Sequence, residues 1–324
     1  MKSMHALGML TLVTFSLTAT PSAMGQEAER IGDADGRAFA PIVPEDFERE
    51  RPRIAWSFSG GGEYFDEVAL DRGDGEIESV ALGFSLSTRI QLDPDTSLSF
   101  GGSYVWEQFD FQGTTGLGGF NPWESINTVE LSARLAWDMD NNLTIFGGPV
   151  VSYSGEDGAD FGDSIYAGGF GGLTYEVNDD LVLGGGVGVT SWLEEDARFF
   201  PVIIVEWRID DRSRITSSNY AIRRGLEYQY DLFDDLTIGG GFSYSEKRFR
   251  LDDSGVAPGG VGEVQRAMLY GKATLRATDD ITLDAIAGVA LDGDVDLETS
   301  TGAGIVSTGV DDQFFVGVNG SIRW

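Results

Sequence analysis

Cysteine is absent from the 324-residue chain. Disulfide staples, thiolate nucleophiles and sulfur metal sites are all excluded, and stability has to come from another source. Histidine is nearly absent too: His5 is the only one, and it sits in an N-terminal segment that reads as removable. The rest of the chain has neither the usual general base nor the usual transition-metal ligand. Histidine-dependent hydrolysis is ruled out, and acid-pair hydrolysis would need carboxylates that the sequence does not pair. No enzyme activity and no cofactor are expected. Positive charge is scarce, with 22 Lys and Arg against 53 Asp and Glu for a net charge of −31. Nucleic acid is therefore not a general partner. Long apolar runs are missing as well. Leu7 to Leu17 falls well short of the ~20 residues of a spanning helix, and glycine, serine or a charge breaks every later run.

What is present begins with an address. Met1-Lys2, the apolar run and Pro21 before Ala23-x-Gly25 read as a secretory signal over residues 1–25, cleaved before Gln26. Residues 26–50 form an acidic, periplasmic arm with Pro41 and Pro44 and no periodicity, a composition that suits disorder. From 51 onward, glycine (45 in the chain) recurs together with 20 Phe, 10 Tyr and 7 Trp, an ordered β-type composition rather than low complexity.

One pattern repeats along residues 51–324: an acidic turn followed by an alternating strand with glycines. It appears as "DPDTSLSFGGSYVW" (93–106), "DMDNNLTIFGGPVVSY" (138–153), "NDDLVLGGGVGVTSW" (178–192), "DDLTIGGGFSY" (234–244) and "TDDITLDAIAGVAL" (278–291). Asp and Asn bond the local backbone, so each cluster predicts a tight reversal, as does "DDRS" at 210–213. Longer connections at 110–123, 155–162, 194–198, 251–261 and 292–311 alternate with these short ones. The spacing predicts fourteen strands near 53–64, 76–92, 96–109, 124–138, 142–154, 163–177, 181–193, 199–209, 213–220, 224–231, 236–250, 262–277, 281–292 and 312–324. The ninth and tenth are short, which leaves twelve as the alternative count.

The strand faces differ. Leu236, Ile238, Phe242 and Tyr244 alternate with Thr237, Gly239, Gly241 and Ser243, and a soluble sandwich would show the same pattern. Aromatic placement discriminates. Trp56, Trp137, Tyr175, Trp207, Tyr230 and Trp324 lie near short-turn ends, and Tyr104, Trp106, Tyr153 and Tyr244 near long-loop ends, as two interfacial girdles require. Trp192 departs by falling on the inward face, unless a bulge in the Gly184–Gly186 run resets it.

The last strand carries Phe314, Val316, Val318, Ile322 and Trp324 on one face, with Gln313, Gly317, Asn319, Ser321 and Arg323 on the other. This stripe ending in an aromatic residue resembles the terminal strand of bacterial outer-membrane β-barrel proteins. With the signal peptide and the hairpin alternation, the resemblance covers residues 51–324, although no motif ties it to one porin or receptor family. It implies an all-β, antiparallel, up-and-down transmembrane barrel in the outer membrane, in contact with its lipid. The last strand would close on the first, and the stripe would be read by the outer-membrane assembly machinery.

Inside such a barrel, parity places Arg89, Arg134, Arg208, Arg276 and Arg323 on the luminal face near the periplasmic ends of their strands, a candidate basic collar. Glu107, Glu130, Glu206 and Glu227 also point inward. The collar is read three ways: pairing with luminal acids to stiffen the wall, attraction of small anions into a diffusion channel, or retention of the acidic arm as a plug. Segment 110–123 is the candidate for a loop that folds inward. The acids Asp292, Asp294, Asp296 and Glu298 match a calcium loop poorly and read as solvated loop charge. The expected function is passive diffusion of small ions and hydrophilic solutes, and the alternative is a structural or surface-interaction barrel that transports nothing.

Overall fold

The computed structural model describes residues 54–140, 142–220 and 223–324. The signal segment 1–25 and the arm 26–50 lie outside the described residues. Alternating side chains and acidic reversals build an antiparallel meander. Its first half is β1 Ile54–Ala69, β2 Glu76–Asp93, β3 Thr96–Gln112, β4 Ser125–Asp140, β5 Leu143–Glu156, β6 Ile165–Asn178 and β7 Leu181–Trp192. Its second half is β8 Glu195–Arg208, β9 Ser213–Tyr220, β10 Arg223–Asp231, β11 Leu236–Arg250, β12 Val261–Arg276, β13 Ile281–Glu298, β14 Gly304–Val310 and β15 Gln313–Arg323. β15 passes the short β14 to pair with β13 on one side and β1 on the other. The wall is a closed ring of fourteen strands, and the twelve-strand alternative is excluded.

The reversals work as their residue types suggest. Asp93 accepts the Asp95 N–H at 3.0 Å, Asn178 that of Asp180 at 2.9 Å, and Asp210 those of Arg212 at 2.8 Å and Ser213 at 2.9 Å. The backbone bond from Arg212, with help from Ser213, holds Asp210 below the usual carboxylate range. Closure at the C-terminus is equally local: the Trp56 N–H donates to the Trp324 carbonyl at 2.9 Å, and the Trp324 N–H returns to Trp56 at 3.1 Å.

The exterior decides between a sandwich and a membrane barrel. Leu82, Phe84, Leu131 and Val316 are each more than half exposed, whereas their sequence neighbours face the bore. The aromatic residues Trp56, Trp137, Tyr175, Trp207 and Trp324 are exposed in a belt at the short-turn end. An apolar outer band on a closed sheet suits hydrocarbon, because closure leaves no sheet edge in the bilayer. By the usual arrangement of short periplasmic turns and long outer loops, the long-loop end is the outer mouth.

Two connections differ from expectation. Residues 194–198 are no long loop: Leu193 and Glu194 turn the chain tightly, with Glu194 at φ 58°. Residues 292–311 are largely a hairpin, in which β13 continues to Glu298 and residues 293–298 pair with β14. Val295 and Leu297 are fully buried there, while the intervening acids supply the polar face.

Candidate functional site

The bore changes character along its length. Toward the short-turn end, β1, β2, β13 and β15 present small hydroxyl residues. Ser57 meets Ser87 at 2.6 Å, Ser59 meets Ser85 at 2.8 Å, and Thr282 meets Ser321 at 2.5 Å. Glycine keeps this wall flat: a Cβ on Gly61 would lie 2.3 Å from the Val318 carbonyl oxygen.

Toward the outer mouth the lining becomes apolar, which the two-faced reading of the strands does not anticipate. Ile77, Phe109, Phe111, Ile126, Phe249, Val264, Val295 and Leu297 form one buried cluster with Leu117 and Trp123 from the β3–β4 connection. That connection carries the helix α1 Gly116–Phe120 and folds into the barrel mouth. Trp123 is 1% exposed and meets Phe111 and Phe249 edge-on at 5.1 Å each, and Phe109 at 6.1 Å. Phe109 and Phe111 belong to β3 and Phe249 to β11, strands that are not neighbours in the wall. The cluster therefore spans the bore as a cap. A bridge between Arg250 and Gly155 joins β11 to β5 at the same end.

Asp74, in the β1–β2 loop, holds the cap segment. It accepts the Thr114 N–H at 2.9 Å, the Thr114 hydroxyl at 2.6 Å, and the Thr115 N–H and hydroxyl at 2.8 Å each. The Thr114 hydroxyl is the largest of the influences that hold the Asp74 carboxyl far below the usual range near about 3.9. A carboxylate with a lowered folded pKa stabilises the fold above its unfolded pKa and loses that contribution as pH falls through the folded value. The cap is thus expected to stay protected from hydrogen exchange through mild acid and to loosen only in strong acid. Asp74→Ala should loosen it at neutral pH, and equal cap protection in both proteins at pH 7 would refute this anchor.

Under the cap lies a charged layer. Lys247 of β11 pairs with Glu107 of β3, and Arg266 of β12 lies 3.7 Å from the same carboxylate and 4.2 Å over the Phe65 ring. On the opposite parity of the β11 tip, outside this layer, Arg248 bonds Glu263 at 2.7 Å and also Glu298, while Arg250 bonds Glu194 at 2.6 Å and the Gly259 carbonyl at 2.9 Å. A cavity of about 80 Å³ adjoins this layer, lined in part by Ser59, Ser85, Ser103, Glu107, Lys247 and Arg266. The "EKRFR" run at 246–250 marks these cations in sequence. Strand parity nevertheless misleads there, because loops enclose the tip of β11 and bury both Arg248 and Phe249.

The five arginines of the expected collar lie at separate places in the wall. Arg89 and Arg134 flank Ser99 in one register row, and buried Arg134 sits 4.6 Å over the Phe146 ring. Arg208 bonds Asp180 of the neighbouring β6–β7 turn through Nε at 2.7 Å, Arg276 is exposed at the rim, and Arg323 lies opposite Ser57. Of the acids, Glu107 serves the layer under the cap. Glu227 is buried, pairs with Lys272 at 2.6 Å and accepts the Tyr270 hydroxyl at 3.1 Å. Glu130 is aligned with Ser103 and Ser152, and Glu206 acts electrostatically on Arg134. Trp192 packs edge-on against the inward Tyr166 at 5.8 Å; the irregularity in β7 falls between Thr190 and Trp192, beyond the glycine run. Among the described residues no acidic or histidine group gathers to hold a metal ion.

No family model and no curated protein matches the chain. Solved structures of similar shape include an outer membrane channel from Pseudomonas putida F1, with a TM-score of 0.47 at 10% identity, covering 88% of this chain and 100% of that one. The P. putida toluene transporter TodX gives 0.40 at 11% identity, covering 84% of this chain and 89% of that one. The NanC porin gives 0.34 at 12% identity, covering 81% of this chain and 98% of that one. Strand pairing and exterior together make this chain a closed, fourteen-stranded β-barrel of the outer-membrane type.

Proposed function

We propose that the protein is an outer-membrane channel for small hydrophilic solutes, shut at its outer mouth by the 113–124 cap. The observation that carries this reading is the hydroxyl- and glycine-lined wall of β1, β2, β13 and β15, whose side chains offer hydrogen bonds to a passing polar solute. Arg89, Arg276 and Arg323 at the periplasmic end favour anions, and the layer of Lys247, Arg266 and Glu107 forms the constriction below the cap. The cross-bore cap itself supports a second reading, a structural or surface-interaction barrel that conducts nothing.

Swelling of liposomes that hold the full mature chain separates the two. Asp74→Ala liposomes should admit small sugars and amino acids several-fold faster than wild type, with anionic amino acids ahead of cationic ones of equal size. A folded Asp74→Ala barrel that admits none of these solutes would leave the structural reading standing. Equal rates for anions and cations would remove the arginines from the pathway.

A further inference from the structure

One stretch of the wall is not zipped. Among the described residues, β8 and β9 are joined by three residue pairs, Glu206–Thr216, Trp207–Ile215 and Arg208–Arg214, all at the short-turn end. Other neighbouring wall strands pair over at least eight residues, and β8 itself stays paired with β7 from Trp207 to Arg198. The Arg208 N–H donates toward β7, to the Asp180 carbonyl at 2.8 Å. Backbone groups of an antiparallel strand alternate sides, so the odd-numbered N–H groups of β8 face β9. The first of these beyond the paired stretch, Val205, donates to the Ser217 hydroxyl at 3.3 Å in place of a carbonyl. The next odd positions are Ile203, Pro201 and Phe199. Pro201 has no N–H to give, and proline is tolerated in sheets on an edge where no ladder bond is needed.

The β8 side of this seam is apolar on both faces, whereas β9 contributes Thr216 and Ser217. On the outside, Ile203 and Phe199 are 60% and 72% exposed. On the inside, Val202 and Ile204 pack against Ala136, Phe146 and Phe170 in a separate luminal cluster, away from the hydroxyl-lined wall. A bilayer penalises open backbone edges unless they line a cavity, so a seam at this depth marks an opening into the lumen. We infer that the β8–β9 seam is a lateral portal through which apolar molecules dissolved in the bilayer, acyl chains included, reach the luminal patch at Phe146, Phe170, Val202 and Ile204. The portal is independent of the aqueous route and does not require the cap to move.

Photo-crosslinking tests it on the full mature chain in phosphatidylcholine vesicles. A benzophenone amino acid is placed at Val202, facing the lumen; at Ile203, facing lipid; and at Val105, luminal behind the fully paired β2–β3–β4 wall. Heat-modifiable mobility on gels verifies that each variant is folded. Lipid adducts are expected at Val202 at a level within a few-fold of Ile203, and at least ten-fold lower at Val105. Adducts at Ile203 with none above the Val105 background at Val202 would overturn the portal. Cysteines at Val205 and Ser217, unambiguous in a cysteine-free chain, supply the lock: their disulfide should cut the Val202 adduct several-fold and reduction should restore it. An adduct unaffected by the disulfide would equally overturn the assignment to this seam.

Discussion

Trp123→Ala is expected to destabilise the barrel by about 3–5 kcal/mol, the range for emptying a fully buried large aromatic site. Trp123 is held by three rings on two non-adjacent strands, and its indole Nε1 makes no hydrogen bond. Its contribution is therefore packing, with a desolvated N–H working against it. Trp123→Phe should consequently retain most of the stability, since it preserves much of the ring contact and removes the unsatisfied donor. Urea unfolding of both variants in lipid vesicles checks the pair. Similar losses for Ala and Phe would mean that the cap does not rest on ring packing.

Replacing Glu107 by Gln should cost about as much, roughly 3–5 kcal/mol, because breaking a buried charge pair leaves charge uncompensated. Two cations, Lys247 from β11 and Arg266 from β12, lose the carboxylate they share. Glu107 and Arg266 are almost fully enclosed and Lys247 nearly so, so solvent does little to screen the loss. Lys247→Met alone should cost less, since Glu107 keeps Arg266. In the double variant Glu107→Gln/Lys247→Met the losses should fall short of additive by on the order of 1 kcal/mol or more, the signature of a direct interaction. Strict additivity in the same urea titrations would show that the two residues do not bridge the bore.

The wall was legible because its signal is local. Period-two alternation and Asp/Asn reversals are written in consecutive residues. The cap was only half legible. Gly113, Gly116, Gly118 and Trp123 mark 113–124 as a compact loop, but nothing local says that Phe109 and Phe249, 140 positions apart, meet across the bore at 6.4 Å between ring centres. The β13–β14 hairpin was hidden by composition: Asp292, Asp294, Asp296 and Glu298 read as solvated loop charge, although Val295 and Leu297, which alternate with them, carry the buried face. Above the membrane, parity stops separating inside from outside because loops cover both faces of a strand, and Arg248 and Arg250 were missed for that reason. Pro201 was visible throughout, but its meaning depends on which edge of β8 it occupies, and that requires the register.

The most direct measurement of the central claim is single-channel conductance in a planar bilayer, comparing the full mature chain with Trp123→Ala/Phe249→Ala, which empties the cap from both walls. The wild-type barrel should stay closed for most of the record, and the variant should conduct steadily with a preference for anions. A wild-type barrel that conducts steadily with its cap in place would contradict this account, as would a folded variant that stays silent.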